Sequence, residues 1–358
     1  MNDIYVLSKD FQIIGVIDTY ESIIWRPAYY DVGDFELYMG ASPQAIELLQ
    51  RGNYIVRRSD ATVEYGHTIY SKVMIIKNIQ LTTDAENGDY ITVTGRELKY
   101  LLHQRIVWEQ TNLNGNVEDA IELLLNKNVI SPDDPARKIN TFMLSINIGL
   151  TDTITKQITG AYLDEAIMEI CKAYDLGWEI YLLDDKYVFN LYKGVNRSYG
   201  QSERPYVVFS DNFDNILNST YELNSEMYAN TFLIAGEGEG VERVHATLDT
   251  GAVGIDRFES YVDARDISSN KGSANEISPE EYTALLLERG VERSAESSIT
   301  EGFSGEVLDV TFAYGSDYYL GDTVTIINSY GISQNVKVLS MMESEDNTGL
   351  KLIPQFNI

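Results

Sequence analysis

Short runs of alternating apolar and polar side chains, each closed by a turn, constrain this chain more than any other feature. Apolar residues alternate in Phe35-Glu36-Leu37-Tyr38-Met39, Tyr54-Ile55-Val56 and Tyr90-Ile91-Thr92-Val93, with Gly and Asp turns between them. That alternation turns one face of a strand inward and the other outward, so residues 1–100 read as antiparallel β structure. The 25 Tyr, 11 Phe and 3 Trp suit the same pleated, half-buried surfaces. One short helix is expected at Ser42-Pro43, a cap followed by proline at the first helical position, carrying Ile46, Leu48 and Leu49.

The pattern changes over residues 101–204. Asn116 is placed to cap a helix with Val117, Ala120, Ile121, Leu124 and Leu125 on one face. A second helix is expected from about Ala161 to Tyr174, burying Leu163, Ala166, Ile167, Ile170 and Cys171 and stopped by Gly177. A hairpin follows, Trp178 to Leu182 and Tyr187 to Leu191 about a turn at Asp184-Asp185. This stretch reads as a small α+β insertion.

From Tyr206 the pattern returns to β structure, broken by one strongly signalled helix. Ser278-Pro279-Glu280-Glu281 has the form of a capping box with proline at the first helical position, and Tyr282, Leu285, Leu286 and Arg289 follow at helical spacing. The polar segment between Ser268 and Glu276, with Gly272, reads as a mobile loop.

The two β regions echo one another. Gly52-Asn53-Tyr54-Ile55-Val56 resembles Gly321-Asp322-Thr323-Val324-Thr325. Downstream, Met74 to Val93 and Val336 to Ile353 each run strand, acidic turn with glycine, strand. Two β domains of one design would explain this, and so would common hairpin grammar.

Composition narrows the function. The 358 residues suit two or three domains of about 150 residues each. With 55 acidic and 27 basic residues the formal charge is −28, of which residues 205–358 carry 26 acidic against 8 basic side chains. Phosphate neutralisation needs the opposite balance, so no specific nucleic-acid binding is expected. The single cysteine, Cys171, excludes disulfide scaffolds and thiolate zinc sites. No apolar run reaches the roughly 20 residues of a membrane span, and Met1-Asn2-Asp3-Ile4-Tyr5 has no secretory pattern. Synthesis in the cytoplasm without a membrane anchor is the expectation.

The search for chemistry returns nothing positive. The three histidines, His67, His103 and His245, lack the helical spacing of a zinc site and read as structural. Gly236-Glu237-Gly238-Glu239-Gly240 carries carboxylates that would repel a phosphate, with glycine spacing wrong for dinucleotides. Asp184-Asp185 and Asp346-Asn347 could attract calcium but match no EF-hand loop. No catalytic, cofactor-binding or metal-binding residue is therefore nominated, and no cofactor is expected.

Several strings taken in order resemble one family. They are Gly95-Arg96-Glu97-Leu98 with Arg105-Ile106-Val107, Tyr192-Lys193-Gly194-Val195-Asn196-Arg197, and Val208-Phe209-Ser210 with Asp214-Asn215. Ala235 to Gly240, Tyr261-Val262-Asp263-Ala264-Arg265-Asp266 and Tyr319-Leu320-Gly321-Asp322-Thr323-Val324-Thr325 complete the set. This order resembles the siphovirus tail proteins that form the baseplate hub at the tail tip, in particular the N-terminal hub region of tail-associated lysins.

The resemblance implies a mainly β fold with an α+β insertion: two barrel-like β domains of similar design plus a small α+β domain. It implies residues 1–100 as the first β domain, completed by 205–232, residues 101–204 as the insertion, and 233–358 as the second β domain with a helix near 279–296. It further implies a homotrimer in the virion tail tip, opening for DNA passage, with a distal tail protein, a tape measure protein and receptor-binding or tail-fibre proteins as partners. The sequence given ends at Ile358, after the last hairpin, so no lysin extension is expected to contribute. A carbohydrate-binding adhesin and a peptidoglycan hydrolase are the alternatives. If the acidic C-terminal region lines a trimer's channel, exiting DNA would meet like charge and slide without sticking.

Overall fold

The computed structural model describes residues 2–86, 88–145, 148–269 and 277–357. Of the loop expected between Ser268 and Glu276, residues 270–276 lie outside the described residues.

The molecule is mainly β with an α+β insertion, and a single sheet path links both β regions. Its order is Ile216–Asn224, Thr300–Val307, Gly349–Asn357, Ser333–Asp346, Ser22–Arg26, Asp34–Gly40, Gly88–Glu97, Met74–Asp84, Tyr54–Arg57, Ile4–Leu7 and Ile13–Ile17. The expected alternation is seen directly in Asp34–Gly40, where Phe35, Leu37 and Met39 are buried and Glu36 is exposed. The two regions meet where Ser333–Asp346 pairs antiparallel with Ser22–Arg26, Glu343 opposite Trp25 and Asp346 opposite Ser22.

The sequence echo is a structural repeat. The Gly52 N–H donates to Ile76 O (2.9 Å), and Ile76 N–H donates back to Asn53 O (3.0 Å). In the second region the Gly321 N–H donates to Val338 O (2.8 Å), and Val338 N–H to Asp322 O (3.0 Å). Both glycines have left-handed backbones, with φ of 90° and 85°, which a side chain would strain. A bulge follows each paired residue, between Ile76 and Asn78 and between Val338 and Ser340. Common hairpin grammar does not demand that coincidence.

Within residues 205–232, which the resemblance assigned to the first β domain, two strands pair with strands of residues 300–327. Val208–Ser210 runs parallel to Thr323–Ile327, and Ile216–Asn224 runs antiparallel to Thr300–Val307. Burial drives this choice, because Val207, Phe209 and Ile216 share one core with Phe303, Val324 and Phe356. Between these strands, Thr231–Ala235, His245–Asp249 and Glu259–Asp263 form a separate three-stranded sheet.

Four α-helices are described: α1 (Pro43–Leu48), α2 (Val117–Leu125), α3 (Leu163–Ala173) and α4 (Pro279–Glu296). Ala45 in α1 and Leu49 at its C-cap are buried while Ile46 is 39% exposed, so Ile46 is not the core residue its apolarity suggested. The expected face of α2 is buried, and Asn116 Oδ1 accepts from Glu118 N–H (2.7 Å). Asp175, with a φ of 56°, terminates α3 in place of Gly177. Gly177 instead opens the strand Gly177–Leu183, where an added Cβ would sit 2.2 Å from the Tyr29 ring. That strand extends the insertion sheet onto the hairpin His67–Tyr70 and Ala61–Glu64, which tethers the insertion to the first β region.

The three-stranded sheet is covered by α4, with Tyr282, Leu285 and Leu286 buried against Phe232, Ile234 and Val262. Its capping box is complete: Ser278 Oγ accepts from Glu281 N–H (3.1 Å), and Glu281 Oε2 accepts from Ser278 N–H (3.0 Å). Ser278→Ala is expected to cost about 1 kcal/mol. Amide exchange in the first turn of α4 should then quicken roughly fivefold, while exchange in α2 stays unchanged.

Candidate functional site: the junction of the β regions

Four ionisable side chains are buried or half-buried where the two β regions meet. Arg57 donates from Nη1 to Glu343 Oε2 and from Nε to Asp60 Oδ2, both at 2.6 Å. Lys72 Nζ lies 3.1 Å from Glu343 Oε1 and 3.8 Å from Asp60 Oδ1. The Arg57 guanidinium stands over the Trp25 ring and the Lys72 ammonium over the Tyr314 ring, at 5.2 and 4.8 Å from the centroids. Burial alone would raise the pKa of Glu343, but Lys72 and Arg57 outweigh it and hold the carboxyl below its ordinary value. Since Arg57 and Lys72 come from the first region and Glu343 from the second, the cluster fastens one to the other.

Beside this cluster, two of the strings that suggested the family resemblance meet. Asp322, 2% exposed, accepts from Val195 N–H through Oδ1 (2.8 Å) and from the Arg197 guanidinium through Oδ2 (2.7 Å). A Cβ on Gly194 would lie 1.8 Å from Gly321 O, so the two backbones touch. The Tyr29 hydroxyl accepts from Gly194 N–H (3.1 Å) and donates to Asp175 O (3.2 Å). These glycines are therefore close-packing positions that lock the insertion onto the second region.

A third string closes the same junction. Gly95 lies within the strand Gly88–Glu97, and an added Cβ would sit 1.9 Å from Ile75 O. Glu97 Oε2 accepts from Gly33 N–H at 3.0 Å. Burial raises its pKa, with Lys99 and that N–H pulling the other way. The Lys99 ammonium is buried, donating to Ala28 O (2.5 Å) and Asp31 O (3.1 Å), 5.0 Å from the Trp178 ring centroid. Glu97, Trp178, Tyr192, Arg197 and Tyr319 line a cleft of about 370 Å³ here. Spacing could not reveal these ion pairs. The one legible signal was Lys99 itself, a single charge within the apolar run Leu98 to Leu102.

The remaining expected positions are engaged locally. His67 Nδ1 lies 2.6 Å from Asp184 Oδ2, and that contact, with Thr68 N–H, lowers the Asp184 pKa. His103 Nδ1 lies 3.0 Å from Asp164 Oδ1, and its ring stacks on Tyr162 at 4.0 Å. His245 is exposed at the start of its strand. Asp346 Oδ1 accepts from Thr348 N–H (2.7 Å), which shapes the hairpin turn. The run Gly236 to Gly240 starts against α4, where a Cβ on Gly236 would be 2.5 Å from the Tyr282 hydroxyl. Arg243 clamps it by donating to Gly236 O (3.0 Å), Ala235 O (2.9 Å) and Asp263 Oδ1 (2.8 Å). Arg265 holds the Asp263 carboxyl down to about 2. Among the described residues no group of three or more His, Cys, Asp or Glu side chains is placed to hold a metal ion.

In the first region a second cleft of about 830 Å³ collects Arg26, Arg51, Lys77 and Arg96. Asp34 and Glu36 share its wall, and Arg26 is bonded to Asp34 at 2.5 Å. Arg96 Nη1 lies 3.9 Å from Asp34 Oδ2.

Solved structures of the same fold include tail proteins, two of them from prophages. A tail protein from Neisseria meningitidis MC58 superposes with a TM-score of 0.60 at 14% identity, covering 100% of this chain and 97% of that one. The 43 kDa tail protein of prophage MuSo2 from Shewanella oneidensis gives 0.59 at 13% identity, over 99% and 98%. Prophage tail protein gp18 from Listeria monocytogenes EGD-e gives 0.53 at 9% identity, over 99% and 94%. At such identities the likeness is one of fold. No curated protein sequence matches. The family model described as Siphovirus ReqiPepy6 Gp37-like protein aligns with residues 3–356, and this chain belongs to that siphovirus tail-protein family.

Proposed function

We propose that this tail protein is a structural component of the tail tip, a homotrimeric baseplate hub whose two similar β units per chain form a ring of six. The observation that carries this reading is the repeat around Gly52 and Gly321, with the same backbone bonds and the same bulge in each unit. Two like units per chain let a threefold assembly present sixfold spacing. The ring would close the tail tube and open for DNA passage, with the distal tail protein and tape measure protein as neighbours. The division that suits this role is residues 1–100 as the first β unit, 101–204 as the insertion, and 205–358 as the second β unit with its α4 layer. The junction side chains are committed to holding these parts together, which favours a structural role over catalysis.

A net charge of −28 per chain opposes association at low salt, and screening relieves it. Light scattering is therefore expected to show three copies, with the trimer fraction rising with salt and protein concentration. A twofold dimer that stays dimeric across that range would overturn the hub reading. Binding to duplex DNA at low salt is expected to be negligible, and turnover of labelled peptidoglycan would replace the structural reading with an enzymatic one.

A further inference from the structure

The repeat extends across four strands of each unit. With Val338 matched to Ile76, Asp346 falls on Asp84, and each faces a glycine across its hairpin, Gly349 and Gly88. Gln355 and Thr94 occupy the same rung, opposite Ser340 and Asn78. They pair outward with Ser304 and Glu36, which pair in turn with Thr220 and Ile24. One residue further, the ring contact Tyr221–Phe303 (5.1 Å) repeats Trp25–Phe35 (5.7 Å).

Within the chain, Ser333–Asp346, at one end of the second unit's four strands, pairs with Ser22–Arg26, at one end of the first unit's four, Glu343 opposite Trp25 and Ser344 opposite Ile24. The counterpart of that junction would place Leu81 opposite Tyr221 and Thr82 opposite Thr220. Among the described residues, one chain does not make it: beyond Ile76, Met74–Asp84 pairs there only with Gly88–Glu97, and Ile216–Asn224 only with Thr300–Val307. Exposure follows the missing cover: Met341 is fully buried, yet its counterpart Ile79 is 39% exposed. Glu343 is 7% exposed and its counterpart Leu81 is 53% exposed, while Leu217 and Leu223 on the other free edge are 42% and 53% exposed. Open backbone edges that carry apolar side chains are pairing surfaces.

We propose that the Leu81-Thr82 edge of one copy pairs antiparallel with Thr220-Tyr221 of a second copy, in the register of the internal Glu343-Ser344 and Trp25-Ile24 junction. The two edges differ, so the contact is head-to-tail and removes every such edge when it closes into a ring. It deepens the hub reading and rests on that reading only for the number of copies.

Cysteine pairs test the register, because the chain's own Cys171 is buried and burial raises its thiol pKa. A disulfide needs Cβ atoms within about 3.5–4.5 Å. The double variant Thr82→Cys with Thr220→Cys, oxidised at high salt and high protein concentration, is expected to yield crosslinked species up to three chains. Either single variant should stay uncrosslinked. Ile24→Cys with Ser344→Cys marks the same rung inside one chain and should close without raising the mass. Dimers from a single variant, or an uncrosslinked double variant beside a closed internal control, would overturn the proposal. Crosslinking that stops at two chains or runs on past three would keep the edge contact and refute the trimer. Three copies by native mass without crosslinking would do the reverse, and uncrosslinked monomer throughout would sink both. Amide exchange gives a reading free of thiol chemistry: residues 78–84 and 217–224 should gain protection on assembly, and unchanged exchange there would refute the edge contact even if the internal control fails to close.

Discussion

Replacing Glu343 with glutamine is expected to lower stability by about 3–5 kcal/mol, the range for a buried ion pair that loses one partner. The variant keeps the shape of the side chain but leaves Arg57 and Lys72 facing Asp60 alone. Trp25 and Tyr314 lie under the two cations, and neither ring supplies a charge to replace the lost carboxylate. The denaturant midpoint should fall, and so should its dependence on pH. Glu343 has a depressed folded-state pKa, so as the pH falls the unfolded chain takes up this proton first, near the ordinary glutamate value of about 4.3. Stabilisation by this group is complete above that value and is lost as the pH drops through the folded-state value. The wild type should therefore lose more stability than Glu343→Gln between neutral pH and that acid limit. Equal acid slopes, or a loss below about 1 kcal/mol, would show that the cluster does not fasten the two units.

Gly194→Ala is expected to cost about 3 kcal/mol or more, at the upper end for overpacking. The new methyl would meet Gly321 O at 1.8 Å and the Gly321 carbonyl carbon at 2.0 Å. Both obstacles are backbone, so no side chain can swing aside and the segments must separate. That separation pulls Asp322 from Val195 N–H and the Arg197 guanidinium. Gly302→Ala is the matched control, since its methyl would meet only Phe356 O, at 3.4 Å. Thermal melting should place the Gly302 variant close to wild type and the Gly194 variant far below it. Similar melting of the two would refute the close-packing role.

What the sequence disclosed was local. The caps at Asn116 and Ser278 could be read because a capping side chain and the N–H it serves lie within three residues of each other. The alternation of Phe35, Leu37 and Met39 could be read because a strand's face is set by its own backbone. Pairing partners were beyond reach: periodicity says which face is buried, not which strand lies beside it. That is why the pairing of Val208–Ser210 with Thr323–Ile327 and of Ile216–Asn224 with Thr300–Val307 was not foreseen. Gly177 was misread for a related reason, since a glycine after a helix can be its stop or, as here, the space that a distant ring requires. The buried ions escaped because Arg57 and Glu343 are 286 residues apart. The paired glycines at 52 and 321 were legible because left-handed backbone leaves its mark on residue type.

The strand that joins the two units also sets a timetable for synthesis. Tyr20 and Glu345, bonded at 3.0 Å, are 325 residues apart in the chain. At about 5–20 residues per second a ribosome needs roughly 16–65 s to make the intervening stretch. Once Asp34–Gly40 has been made, Ser22–Arg26 has that neighbour but waits for Ser333–Asp346 on its other side. The nascent chain thus carries an uncovered strand for most of its translation, and whatever shields it in that window governs the yield of folded protein.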